Sequence, residues 1–297
     1  MGINPDLKFI LHYRSQWSVL DKGYSTYAFT TLYPIYIKDG KEKLDVGVNI
    51  LQDQSGAFKS LDASLAVGYN LQISNSGNIN FSLLGGYVQK SLSTADLTFD
   101  NQYVTGTYSA SNANGEVILN EKVGYPDVGF GAMWYYNPTK DDDAKLNAYL
   151  GAAVFHLNTP NESLTGTPNS AASEGKLPMR FSYQGGIKIL GGDKIDFTPN
   201  IIVTTQEGAE NTAAGLYTGY HFSEKSKAVL GVWYRKKDAI ALHLGFEHTS
   251  FTIGYSYDAV TSEIRNYVGT NAHEISLCYR INMSEKKGAK ANPSFFR

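Results

Sequence analysis

The residue types that most often carry chemistry do not form a catalytic pattern in this sequence. There is no G-x-S-x-G, P-loop or H-E-x-x-H motif, because His273-Glu274 is followed by Ile275-Ser276-Leu277. The six His residues are scattered, although a Ser and a His on neighbouring strands could meet without any motif. The sequence therefore predicts that the protein has no catalytic site and is not an enzyme.

Metal and cofactor sites are not predicted either. Asp141-Asp142-Asp143 is an acidic run without regular ligand spacing, and it is typical of a solvated turn. The single Cys278 cannot form an internal disulfide or a thiolate metal cluster, so we expect it to serve packing.

The composition narrows the class of protein. Charged residues make up 18%, below the usual fraction of about 25%, while 21 Tyr, 14 Phe and 29 Gly favour aromatic strands joined by turns. The net charge of −2 leaves no basic footprint for nucleic acid. This composition disfavours a disordered chain, a coiled coil and a nucleic-acid partner.

Alternation of apolar and polar residues is the main structural pattern. No apolar stretch approaches the roughly 20 residues of a membrane-spanning helix, but barrel strands alternate between lipid and lumen and are polar on average. Met179 to Lys188 places Met, Phe, Tyr and Ile on one face and Arg, Ser, Gln and Lys on the other. The pattern predicts fourteen strands, near residues 8–15, 23–34, 42–51, 57–72, 79–90, 124–135, 145–156, 177–189, 195–205, 212–222, 227–235, 239–247, 250–257 and 272–283.

Strand length and loop length both favour an outer-membrane barrel over a soluble sandwich. Most predicted strands have the ~9–11 residues that cross a bilayer at a tilt. The connections after even-numbered strands are short, and the three long ones, 91–123, 157–176 and 258–271, follow odd-numbered strands, as periplasmic turns and outer loops would. We predict an all-β, closed antiparallel transmembrane barrel of about 14 strands over residues 1–283, with both termini periplasmic and a periplasmic tail at 284–297.

The face opposite the apolar one predicts a polar lumen. It carries charges of both signs, and bare charges in a narrow lumen are costly unless they are paired or hydrated. We expect a cross-lumen network that includes Arg180, Lys188, His243, Glu247 and Arg280.

An ordered set of motifs resembles the PorP/SprF family of type IX secretion membrane proteins. Asn4-Pro5, followed by Tyr13-Arg14-Ser15-Gln16-Trp17, resembles the Asn-Pro and Tyr-Arg-x-Gln-Trp signature of that family. Asp53-Gln54-Ser55-Gly56 resembles its Asp-x-x-Gly, and the strands at 66–71 and 81–87 resemble the two that follow. Asp6 departs from the family's small residue, and no apolar signal peptide precedes Asn4, so we expect a processed N-terminus.

The resemblance implies an outer-membrane component of the type IX secretion or gliding machinery of Bacteroidota. Its partners would be an exported cargo protein, other machinery subunits, and the lipid or lipopolysaccharide of the outer membrane. The motif residues Arg14, Gln16, Trp17, Asp53 and Gly56 would lie at the outer rim. There they would either contact a partner or lock loops, with Arg14 and Asp53 as an ion pair, Trp17 at the interface belt and Gly56 chosen for its backbone angle.

The loop at 91–123 offers Phe99, Tyr103, Tyr108 and Val117 as partner-binding residues, although it could equally cap the lumen.

Two functions from other classes remain open besides partner binding. The alternative from the transport class is an outer-membrane channel for a small solute or a hydrophobic compound, and a hydrolase with a Ser-His pair at the lumen rim is the third hypothesis.

Overall fold

The computed structural model describes residues 6–18, 23–37, 42–93, 97–113, 115, 121–138, 146–164, 175–263 and 272–283. Within these residues, fourteen long strands form one closed barrel and two short strands form a separate hairpin. The strands are β1 Asp6–Gln16, β2 Tyr24–Ile37, β3 Glu42–Ser55, β4 Phe58–Gln72, β5 Gly77–Leu92, β6 Tyr103–Val104, β7 Thr107–Tyr108, β8 Lys122–Tyr136, β9 Leu146–Phe155, β10 Arg180–Leu190, β11 Ile195–Gln206, β12 Ala209–Ser223, β13 Ser226–Arg235, β14 Ala239–His248, β15 Phe251–Val260 and β16 Ala272–Asn282.

Antiparallel pairing of neighbouring strands closes the wall. β1 pairs with β2 on one side and with β16 on the other, in a register that runs from Asp6 opposite Asn282 to Gln16 opposite Ala272. A closed ladder leaves no sheet edge, which is the condition for a sheet to cross the hydrocarbon region of a membrane. The predicted fold class and strand count are therefore confirmed.

The two faces of the wall have opposite chemistry. Large apolar side chains are exposed on the outer face, among them Leu83, Leu150 and Leu244. Polar and charged side chains instead fill most of the buried positions, as Asp45 and Lys188 illustrate. The wall is thus apolar towards lipid and polar towards the lumen, which is the arrangement of a transmembrane barrel.

The connections differ between the two ends of the barrel. We call the end at which β1 begins and β16 ends the turn end, and the opposite end the loop end. Connections at the turn end are short, with 73–76, 191–194, 224–225 and 249–250 as examples. The three longest connections in the chain, at 93–121, 156–179 and 261–271, all lie at the loop end, although residues 56–57 and 207–208 form two-residue turns there.

The structure adds details that alternation did not predict. Most strands extend one to four residues beyond the predicted bounds, and β6 and β7 lie inside a segment predicted as loop. The predicted tail at 284–297 lies outside the described residues. Among the described residues, no helix is long and apolar enough to cross a membrane.

A close approach inside the wall requires glycine at position 231. A Cβ atom on Gly231 would lie 2.4 Å from the Tyr217 ring and 3.0 Å from the Cβ of His243. The Tyr217 ring cannot yield easily, because it packs against Trp233 and His243 with centroid distances of 5.9 and 5.5 Å. Gly245 differs, since a Cβ there meets nothing nearer than 3.4 Å.

We predict that Gly231→Ala destabilises the barrel and that Gly245→Ala leaves its stability nearly unchanged. Overpacking of this kind costs about 1–3 kcal/mol. The measurement is the temperature at which the folded, fast-migrating form is lost on a semi-native gel. Equal unfolding temperatures for the two variants would contradict the predicted close approach.

Candidate functional site

The motif residue Arg14 lies at the loop end of β1 and belongs to an ion-pair cluster. Its guanidinium lies 2.9 Å from Asp258 and 3.6 Å from Glu274. Arg235 contacts the same Asp258 carboxylate at 2.9 Å, so one buried acid joins two arginines from β1 and β13. This cluster ties together the strands on either side of the β1–β16 closure.

The predicted ion pair between Arg14 and Asp53 is wrong. Arg14 lies directly opposite Glu274 on β16 and opposite Thr26 on β2, whereas Asp53 lies one strand further, opposite Thr26. Asp53 accepts hydrogen bonds from the hydroxyls of Thr26 at 2.6 Å and Ser55 at 3.0 Å. Arg14 therefore pairs with the acids on the β16 side of β1, Asp258 on β15 and Glu274 on β16, while Asp53 on the β2 side is satisfied by hydroxyl groups.

The other motif residues shape the chain at the loop end. Gln16 is the last residue of β1, and Trp17 follows it with a φ of +54°, uncommon for a side chain of this size. The Trp17 ring packs on Tyr24 with centroids 4.7 Å apart. Gly56 has a φ of +64° in the turn after β3, the left-handed backbone expected from its type. The five motif residues thus share one end of the barrel but form two separate groups.

A second ionic cluster at the loop end was not predicted. Nδ1 of His156 lies 3.0 Å from both carboxylate oxygens of Asp127. Glu162 contacts Lys90 and accepts a hydrogen bond from the Tyr125 hydroxyl at 3.0 Å. These contacts hold the first residues of the 156–179 connection against the inner wall. The partners are far apart in the sequence, and no local pattern relates them.

The predicted lumen residues divide between three levels of the barrel. Lys188, Glu247 and Arg280 join one network near the turn end. His243 lies at mid-height against Tyr217, and Arg180 lies at the loop end, 4.7 Å over the Phe155 ring.

The turn-end network also contains three residues that the predicted set omits, Asp196, His221 and Lys227. Oδ2 of Asp196 lies 3.7 Å from Nζ of Lys188, 3.5 Å from Nζ of Lys227 and 2.6 Å from Nε2 of His221. Lys227 also lies 3.1 Å from Glu247, which Arg280 contacts at 3.0 Å. The network therefore links β10 to β16 through shared carboxylates, as pairing of buried charges requires.

Within the 93–121 connection, residues 99–112 are held together by hydrogen bonds to one buried residue, Gln102. The Phe99 N–H donates to Oε1 of Gln102 at 3.1 Å, and Nε2 of Gln102 donates to the Asn112 carbonyl at 3.3 Å. The Gln102 carbonyl accepts from the Ser109 N–H at 3.0 Å and from the Asn112 amide at 3.3 Å. We call this arrangement the Gln102 knot.

The Gln102 knot presents an exposed aromatic hairpin. β6 and β7 are joined by Thr105 and Gly106, which have φ values of +51° and +81°, as a two-residue type I′ turn requires. Tyr103 is 55% exposed, Val104 53% and Tyr108 39%, and the two tyrosine rings lie 5.4 Å apart. Phe99 is half-buried beside the knot, and Val117 lies outside the described residues. Three of the four predicted loop residues are therefore placed together.

The described residues hold no group of three or more His, Cys, Asp or Glu side chains that could bind a metal ion. The run Asp141-Asp142-Asp143 lies outside the described residues.

Solved structures with a similar fold are outer-membrane transporters and channels. A Pseudomonas aeruginosa FadL homologue is 9% identical, with a TM-score of 0.54 over 93% of this chain and 89% of that chain. The monoaromatic hydrocarbon channel CymD is 11% identical, with a TM-score of 0.53 over 94% and 89%. The Ralstonia pickettii toluene transporter TbuX is 10% identical, with a TM-score of 0.50 over 93% and 88%. At these identities the likeness shows the fold alone.

No curated protein matches the chain. A family model does match: the one described as type IX secretion system membrane protein PorP/SprF covers residues 1–279, which include the rim motifs, the Gln102 knot and the lumen network except Arg280. The chain is therefore an outer-membrane β-barrel that belongs to the PorP/SprF family of type IX secretion system membrane proteins.

Proposed function

We propose that this barrel is a non-enzymatic docking component of the type IX secretion machinery, and that it holds an exported protein or another machinery subunit through its loop end. The observation that carries the proposal is the hairpin of β6 and β7, which exposes Tyr103, Val104 and Tyr108 on an ordered support. The family membership supports an interaction with secretion components, and the hairpin supplies a surface for one.

The chemistry of the hairpin suits protein recognition. Tyrosine offers a large, rigid contact area with a polar hydroxyl, and aromatic residues dominate the energetic centres of protein interfaces. The Gln102 knot fixes the backbone around the hairpin before a partner arrives, so less conformational entropy is lost on binding. The proposal places the loop end on the cell surface and both termini in the periplasm, in line with the short connections at the turn end.

The first prediction from the docking proposal concerns the aromatic side chains of the hairpin. The double variant Tyr103→Ser and Tyr108→Ser should weaken partner binding by at least about 30-fold, because truncating two central aromatic residues removes at least about 2 kcal/mol. The measurement is quantitative mass spectrometry of proteins that copurify from native outer membrane in mild detergent.

Thr107→Ala is the matched control, since it alters the same exposed hairpin without removing an aromatic ring. Its copurification profile should equal that of the wild type. If the double variant retains its stoichiometric partner while migrating as a folded barrel, the hairpin is not the docking surface.

The second prediction concerns the support of the hairpin. Gln102→Ala removes both side-chain hydrogen bonds of the knot and leaves every aromatic residue in place. We expect partner recovery to fall about tenfold, which corresponds to about 1.4 kcal/mol lost from preorganisation. Limited proteolysis should cut the 97–113 segment faster in this variant, and unchanged proteolysis with unchanged recovery would contradict a role for the knot.

The second candidate function is a channel for a small solute or a hydrophobic compound. A cavity in the lumen favours it, but the ion pairs of Asp196 and Glu247 line the inner wall with charged side chains at the turn end. A fourteen-stranded barrel is also narrower than the 16–18-stranded porins that leave an aqueous channel.

We therefore predict that the wild-type protein in a planar lipid bilayer shows no stable, solute-selective current. The physical reason is that a barrel of this size leaves little room between the charged side chains that line its inner wall at the turn end. Reproducible solute-selective conductance from the folded, wild-type barrel would favour the channel function over docking.

A further inference from the structure

A recess in the inner wall lies between the Arg14–Asp258 cluster at the loop end and the network around Asp196 and Glu247 at the turn end. Gly245 on β14, Gly254 on β15 and Ser276 on β16 lie directly opposite one another in register. Three adjacent inward positions therefore carry almost no side chain, and the lumen widens there into a cavity of about 530 Å³. Ligand pockets commonly have volumes of about 300–1,000 Å³.

The middle of this recess is apolar. Val229 lies opposite Gly245, and Ile10 lies opposite Cys278, so aliphatic and sulfur groups border the glycines. The backbone of the recess belongs to the closed ladder, which occupies its N–H and carbonyl groups. An apolar ligand body fits these surroundings better than a polar one.

The turn end of the cavity is cationic. Its lining includes Lys8, Lys188, Lys227 and Arg280 against the two carboxylates of Asp196 and Glu247. The third lining carboxylate, Glu274, lies towards the other end, 3.3 Å from His12. An anionic group is therefore favoured at the turn end of the cavity and disfavoured at the opposite end.

Arg280 adds a specific anion-binding geometry. It lies directly opposite Lys8 across the β1–β16 pair, and like charges in this position repel. Arg280 is only 7% exposed, and its Nε has no hydrogen-bond partner among the described residues. Its Nη groups donate to Glu247, to the His248 carbonyl and to Thr252. A carboxylate that reaches Nε would satisfy this remaining donor and reduce the repulsion between Arg280 and Lys8.

We propose that the lumen binds a small amphipathic monocarboxylate, with its carboxylate at Arg280 and Lys8 and its apolar body along Gly245 and Gly254. This site lies inside the barrel and does not depend on partner docking at the hairpin. Decanoate is a suitable probe because it combines one carboxylate with an unbranched apolar chain.

The chain contains its own reporter for this site. Cys278 is the single cysteine of the sequence and lines the cavity, so a water-soluble maleimide reads its accessibility without mutagenesis. In protein reconstituted in phosphatidylcholine nanodiscs, decanoate should slow labelling of Cys278 at least about fivefold. Decanol at the same concentration and inorganic phosphate should each leave the labelling rate unchanged.

Native mass spectrometry gives a second readout that does not require a reactive thiol. We expect one decanoate per wild-type barrel. Gly245→Leu should abolish this bound mass, because its Cβ fits without displacing the wall while the rest of the side chain fills the recess. Gly245→Ala is the matched control and should retain binding.

Two charge variants test the head group separately. Arg280→Lys keeps the positive charge but removes the Nε donor, and Lys8→Gln removes the opposite cation while leaving Arg280 intact. Each should weaken decanoate binding about tenfold, the loss of roughly one charge-assisted hydrogen bond. If Arg280→Lys fails to fold, Lys8→Gln and Gly245→Leu still decide the outcome.

The proposal is overturned if the wild-type barrel carries no decanoate in native mass spectrometry, or if Gly245→Leu binds it as well as the wild type. If decanol protects Cys278 as well as decanoate does, the site does not recognise the carboxylate and the proposal is overturned. If phosphate protects Cys278 equally well, the site does not recognise the apolar body, which also overturns it.

Discussion

The closed hydrogen-bond ladder between β1 and β16 is the constraint on which the rest of the molecule depends. A sheet in hydrocarbon must pair every backbone group, and closure is the only way to leave no edge. Closure then forces alternate side chains into a narrow lumen, where charges must find partners. The ion pairs around Asp196, Glu247 and Asp258 follow from that enclosure, and they stiffen the barrel that carries the loops.

Alternation was sufficient to predict the barrel and the number of its strands, because the side-chain period of two is a local property. It was also sufficient to place Lys188, Glu247 and Arg280 on the lumen face. It could not predict which charges meet, since that depends on strand neighbours, and the expected Arg14 and Asp53 pair failed for this reason. The Gln102 knot and its hairpin were missed because a short turn of two positive-φ residues leaves little trace in apolar patterning.

The two ends of the molecule have different roles in this account. At the loop end, ionic clusters around Asp258 and Asp127 hold the strands and the start of the 156–179 connection, while the Gln102 knot holds an aromatic hairpin above them. At the turn end, the shared carboxylates of Asp196 and Glu247 join lysine and arginine side chains along the inner wall. The proposed docking rests on the exposed hairpin side chains Tyr103, Val104 and Tyr108, and the proposed ligand would lie in the recess at Gly245.

Site-specific photo-crosslinking in living cells tests the docking account most directly. A benzoylphenylalanine at position 103 should crosslink to one abundant secreted or secretion-machinery protein, because Tyr103 lies at the exposed centre of the hairpin. The same probe at position 225, in the turn after β12 at the opposite end of the barrel, should not capture that protein. Capture of the same protein from position 225 but not from position 103 would contradict docking at the hairpin.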